Sequence, residues 1–173
     1  MAKVQRRARP SRRKNAGNEH VLAKLESSVK NGDHYHAFQM YQTMWARWSP
    51  DNFDDATKLV VSGVGVMLEH NQPNSAAELG LLLVNYYTSK KCPVSDDKIS
   101  MILELGNKFT AGLELNRFLN AAINWSSAEG RFKRGDPQLR LLLARKAREA
   151  GTNIYINCIC NTPGIFCLFD QAT

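Results

Sequence analysis

Residues 32–50 read GDHYHAFQMYQTMWARWSP, and this segment holds the main elements of the fold. Gly32 suits the left-handed position just past a helix end. Asp33 is placed to accept a hydrogen bond from the first free backbone N–H groups of the next helix. Phe38, Tyr41, Trp45 and Trp48 follow at spacings of 3, 4 and 3, so four large side chains share one helical stripe. Ser49-Pro50 stops that helix, and Pro50 is acceptable in the first turn of a further one.

The same grammar extends in both directions. Val21, Leu22, Leu25 and Val29 mark a preceding helix. A third helix runs from about Phe53 to His70 and is broken by Gln72-Pro73-Asn74. Ser75-Ala-Ala-Glu78 has capping-box spacing and opens a fourth helix, apolar through Leu79, Leu82, Leu83 and Tyr86. Lys91-Cys92-Pro93 ends it. Ser95 with Asp96 and Asp97 starts a fifth helix, where negative charge is favoured, with Ile99, Ile102, Leu103 and Leu105 inward. Leu113 to Trp125 forms a sixth around Leu115, Phe118, Leu119, Ala122 and Ile123. After a loop over Gly130–Gly135, Asp136-Pro137 opens a seventh helix that reaches about Ala150. No stretch before residue 153 alternates as a strand would. Helix pairs begin near residues 19, 52, 95 and 136, at separations of 33 to 43. The reading is all-α: a tetratricopeptide-like α-solenoid of antiparallel hairpins, with an ordinary helical bundle as the alternative.

Charge divides the chain into three. Of 23 Lys and Arg residues, seven lie in residues 1–14, where there is no acid, and the rest balances at 16 against 16. Residues 1–18 are expected to be a disordered basic arm, 19–149 the helical solenoid, and 150–173 a poorly ordered tail. The longest charge-free run, Ala150 to Phe169, matches a membrane span in its 20 residues. The amides of Asn153, Asn157 and Asn161 would each cost about 2 kcal/mol or more in hydrocarbon, so no span is expected. Four cysteines and the lack of a secretory signal suit a reducing cytosolic compartment.

No phosphate-binding Gly-rich loop occurs, and Gly63-Val64-Gly65 lies in an apolar helical run where small residues permit close packing. His34 and His36 point to opposite sides of a helix, so they do not share a metal. Cys158, Cys160 and Cys167 lack a nearby fourth ligand. No nucleophile, base and orienting group assemble. Catalytic residues, cofactor and metal are therefore all expected to be absent, and the chain is read as a non-enzyme. The basic arm could contact phosphates, but without interleaved aromatics it has no stacking readout. A nucleic-acid partner is not favoured over a protein one. Tyr35, Gln39 and Arg47, on the outward side of the second helix, are candidates for an interaction surface.

Three motifs then converge. Gly32-Asp33-x-Tyr35-x-Ala37-x-Gln39-Met40-Tyr41-x-Thr43 resembles the first helical hairpin of the Golgi to ER traffic protein 4 family. Asn74-Ser75-Ala76-Ala77-Glu78-Leu79 resembles a helix start of that family. Trp125-Ser126-Ser127, Pro137, Leu139 and Leu141-Leu142-Leu143-Ala144 resemble a later stretch. The resemblance covers about residues 20–144, and Arg145–Thr173 is read as departing from it, like an alternative exon or frameshift. It implies a cytosolic, non-catalytic adaptor for targeting tail-anchored membrane proteins to the endoplasmic reticulum. The N-terminal helices would dock the targeting ATPase, with Lys24 and Arg47 as cations facing an acidic partner. The ubiquitin-like subunit and the Bag-family scaffold of full-length members would use a C-terminal half that this truncated chain lacks. The rival readings are a basic-armed RNA- or ribosome-associated helical protein, and a truncated product without function.

Overall fold

The structure, a computed structural model, describes residues 21, 23–130 and 132–151. The expected basic arm, Leu22, and Cys158, Cys160 and Cys167 of the tail lie outside the described residues. Among those described there are seven helices and no strand. Helix α1 ends at residue 30; α2 is His34–Trp48, α3 Phe53–Glu69, α4 Pro73–Ser89, α5 Asp96–Lys108, α6 Leu113–Glu129 and α7 Pro137–Glu149.

Local chemistry sets the boundaries. Gly32 has φ +76° and ends α1, with the Asp33 N–H donating to the Ser28 carbonyl at 3.0 Å. The Asp33 carboxylate accepts from the His36 N–H at 3.2 Å. Asp136 does the same for α7, accepting from the N–H groups of Gln138 at 2.8 Å and Leu139 at 3.4 Å, with Pro137 at the first helical position. Helix α3 begins at Phe53, as expected, and Asn52 caps it, its side chain accepting from the Asp55 N–H. One expected start shifts. Helix α4 begins at Pro73, so Ser75 sits inside its first turn instead of capping it. A proline whose φ is already helical starts a helix without a side-chain cap.

Helices α2, α4 and α6 pack side by side in one layer, and α3, α5 and α7 in a second. Each hairpin crosses between layers, as α3 packs against α4 and α5 against α6. This is the α-solenoid arrangement of antiparallel hairpins.

A helical glycine faces a large side chain at three successive contacts between neighbouring helices. A Cβ on Gly63 of α3 would stand 2.8 Å from the Tyr41 ring of α2. One on Gly80 of α4 would stand 2.9 Å from the Phe118 ring of α6, and one on Gly106 of α5 would stand 2.8 Å from Leu142 of α7. These positions let backbones approach closely enough for the ring or branched chain to fill the gap.

That close approach corrects two burial expectations. Tyr41, Trp45 and Phe118 are buried, but Phe38 and Leu82 are only half-buried. On α2 the deepest line runs through Ala37, Tyr41, Met44 and Trp45. Ala37 takes the tightest position because it is small, and Phe38, about 100° round the helix, is displaced to the flank. On α4, Leu81, Leu82 and Leu83 are consecutive and cannot share one face. Leu83 joins Leu79 and Tyr87 inside at spacings of four, which leaves Leu82 on the flank, half-buried against the core.

Aromatic contacts tie the hairpins together. Trp45 meets Phe53 at 5.9 Å between ring centres and Tyr86 at 5.8 Å; Phe53 stacks on Tyr86 at 4.3 Å, and Tyr87 lies 5.0 Å from Trp125. Burial, followed by the neighbouring Cys92, pushes the Tyr87 hydroxyl up to about 12. Burial, followed by Glu26, raises that of Tyr41 as well.

Two outcomes follow. Trp45→Ala should cost about 3 kcal/mol or more in urea unfolding, and Phe38→Ala clearly less, because only Trp45 is in the core. The native state holds the Tyr87 proton more tightly than the unfolded chain does. This contribution to stability should therefore be fully present below pH 10 and be lost as pH rises from there towards about 12. Tyr87→Phe should reduce the slope in that window.

Candidate protein-interaction site

The outward side of α2 follows from its inward side. With Ala37, Tyr41, Met44 and Trp45 facing the core, Tyr35, Gln39, Thr43, Ala46 and Arg47 are exposed. Tyr35 is 71% exposed, an aromatic ring on a surface that otherwise offers short polar groups. Gln39 lies one turn further on, about 6 Å along the axis, and Arg47 about 12 Å beyond it. The Thr43 hydroxyl is occupied locally, donating to the Gln39 carbonyl at 2.9 Å. Arg47 stands in the last turn of α2, where the helix dipole favours a cation. Lys24 is exposed on α1. The fold thus brings Tyr35, Gln39 and Arg47 to one side of α2 and sets Lys24 on the preceding helix. Among the described residues, no hydrogen bond or ion pair links any two of the four. The arrangement offers an aromatic anchor, an amide and two separated cations, which is the chemistry of protein contact.

One neighbour of this surface was not legible in the sequence. His34 is half-buried and lies against His70, which caps the end of α3, with ring centres 4.5 Å apart. Its Nδ1 is buried without a hydrogen-bond partner. The pair sits where α2 begins and α3 ends. Only the packing of α2 on α3 brings together histidines 36 positions apart. Among the described residues, no group of three His, Cys, Asp or Glu side chains is placed to hold a metal.

The Trp125-Ser126-Ser127 motif has a structural role. The Trp125 indole N–H donates to the Cys92 carbonyl at 3.0 Å, which fixes the loop between α4 and α5. The Ser126 hydroxyl donates to the Ile123 carbonyl and accepts from the Asp136 N–H, both at 2.9 Å. The Ser127 hydroxyl donates to the Lys133 carbonyl at 2.6 Å. Three consecutive residues therefore hold two loops against α6.

The model of the family described as Golgi to ER traffic protein 4 matches residues 51–156. The match runs past Ala144, so the expected departure at Arg145 is corrected: all of α7 belongs to the family pattern. The chain is 36% identical over 146 residues to a Golgi to ER traffic protein 4 homolog of Gallus gallus, covering 83% of this chain and 46% of that one. To the Homo sapiens homolog it is 34% identical over 142 residues, covering 81% and 43%. A stretch as long as the first must contain Tyr35, Gln39 and Arg47 wherever it begins. The crystal structure of C. therm. Get4 superposes with a TM-score of 0.68 at 25% identity, covering 77% of this chain and 44% of that chain. The chain spans less than half the length of these relatives.

Because the α2 residues are exposed, Tyr35→Ala and Gln39→Ala should each leave unfolding free energy within about 0.5 kcal/mol of the parent. Ser126→Ala, which takes from the part-buried Asp136 N–H its acceptor, should cost about 1 kcal/mol in the same urea titration.

Proposed function

The chain belongs to the Golgi to ER traffic protein 4 family, and from that membership we propose that it is a non-catalytic adaptor in the cytosolic delivery of tail-anchored membrane proteins to the endoplasmic reticulum. The observation that carries this reading is the agreement of a family-model match over residues 51–156 with the likeness of its helical stack to Get4. No helix among the described residues is long and apolar enough to cross a membrane.

The mechanism is rigid presentation. The targeting ATPase docks on the N-terminal hairpin, where Tyr35 supplies a buried contact and Gln39 a hydrogen bond. Lys24 and Arg47 select an acidic face and speed encounter. The hairpin contributes orientation, and no bond is made or broken on it. The ubiquitin-like subunit and the Bag-family scaffold are partners of the C-terminal half of full-length members, and residues 1–173 are proposed to bind neither alone.

Charge reversal at Lys24 and Arg47 together should slow association with the purified targeting ATPase by roughly tenfold. It should also flatten the dependence on salt while the helical circular-dichroism signal stays unchanged. Binding indifferent to the double reversal would refute the assigned face. Tight binding of the ubiquitin-like subunit to the chain would refute the division of partners.

A further inference from the structure

The first turn of α2 carries Tyr35, and part of what holds that turn comes from a different helix. His34 is the first residue of α2 and Tyr35 the second. The ring of His34 lies against that of His70, with centres 4.5 Å apart and planes 33° from parallel. At Nδ1 the His34 ring is buried and makes no hydrogen bond, so no polar contact at that atom orients it. Packing of one ring on the other does.

The two members of the pair are anchored unequally. His70 caps the end of α3, its N–H donating to the Val66 carbonyl at 3.2 Å. Asn71 follows at φ +55°, a left-handed conformation that asparagine tolerates. The Asn71 N–H donates to the Leu68 carbonyl at 3.0 Å and the Gln72 N–H to the Met67 carbonyl at 2.8 Å, the paired bonds of a Schellman end. Met67 is fully buried, so this end of α3 is tied to the core. The first turn of α2 has less of its own. Its leading N–H groups have no partner within the helix. Its cap is the exposed Asp33, whose carboxylate accepts from the His36 N–H at 3.2 Å and whose carbonyl accepts from the Ala37 N–H at 3.0 Å. Helix ends fray when nothing outside the helix holds them. A frayed first turn would leave Tyr35, which is 71% exposed, without a defined direction.

We propose that His70 is a positioning residue of the α2 face: its ring holds His34, and through it the turn from which Tyr35 projects, without touching the partner itself. This assignment rests on the reading of α2 as the docking face. It adds a residue from the end of α3 to a site whose other members lie on α1 and α2. An anchor whose direction is settled before encounter binds more tightly, because ordering it on contact subtracts from affinity. The role belongs to the ring and not to its nitrogens, so phenylalanine can serve at position 70 and alanine cannot.

The full chain is compared as parent, His70→Ala and His70→Phe. His70 is exposed, so neither substitution should alter the helical circular-dichroism signal. Amide exchange followed by NMR in the free protein reads the turn itself. His70→Ala should speed exchange of the His36 and Ala37 amides by about three- to tenfold, and His70→Phe should restore the parental rates. Association with the purified targeting ATPase reads the consequence. His70→Ala should weaken it by about three- to tenfold, His70→Phe should not, and His70→Ala should add nothing once Tyr35→Ala is present. Exchange at His36 and Ala37 that is indifferent to His70→Ala would overturn the proposal whether or not the ATPase binds. So would a loss of binding shared by His70→Phe, because His70 would then meet the partner through its nitrogens, or a loss that stays additive with Tyr35→Ala. A parent chain that does not bind the ATPase refutes the docking reading, and the exchange rates still decide whether His70 holds the turn.

Discussion

The close seating of a large side chain against a helical glycine, repeated from one helix to the next, is the constraint on which this fold depends. Tyr41 sits against Gly63, Phe118 against Gly80 and Leu142 against Gly106. In each case the space a Cβ would need is already filled. The glycines give up helix propensity, about 1 kcal/mol each relative to alanine, and gain a backbone approach that no other residue allows. Helix α4 shows the consequence most fully: with Ala76, Ala77 and Gly80 buried, it packs on α2, α3 and α6 together. A solenoid has no single deep centre, so its rigidity is the sum of such neighbour contacts.

Rigidity matters because an adaptor works through geometry. The α2 surface can be exposed and polar only because Ala37, Tyr41, Met44 and Trp45 fix the other side of the same helix. Further along the stack, Trp125, Ser126 and Ser127 hold two loops against α6 with three hydrogen bonds.

The sequence carried the local part of this structure plainly. Asp33, Gly32, Asp136 and Pro137 act within three or four residues of themselves, so their roles could be assigned from neighbours alone. Helical spacing separated the outer residues Tyr35, Gln39 and Arg47 from the core of α2. What could not be read depended on a partner helix. Phe38 outranks Ala37 in hydrophobic area, yet Ala37 is deeper, because the shape of α3 and α4 decides which position is tightest. Leu82 and Leu83 are chemically identical, and only the direction of α6 and α3 separates them. The contacts of His34 with His70 and of Trp125 with Cys92 join positions more than 30 residues apart and leave no mark in local periodicity.

The account rests on the N-terminal hairpin as the docking face of a stack that does not itself rearrange. Deuterium exchange of the full chain, measured with and without the purified targeting ATPase, tests this most directly. The account predicts slowed exchange confined to residues 23–48, with α4 to α7 exchanging as in the free protein. Protection centred on α7, or a change spread over the whole stack, would contradict it.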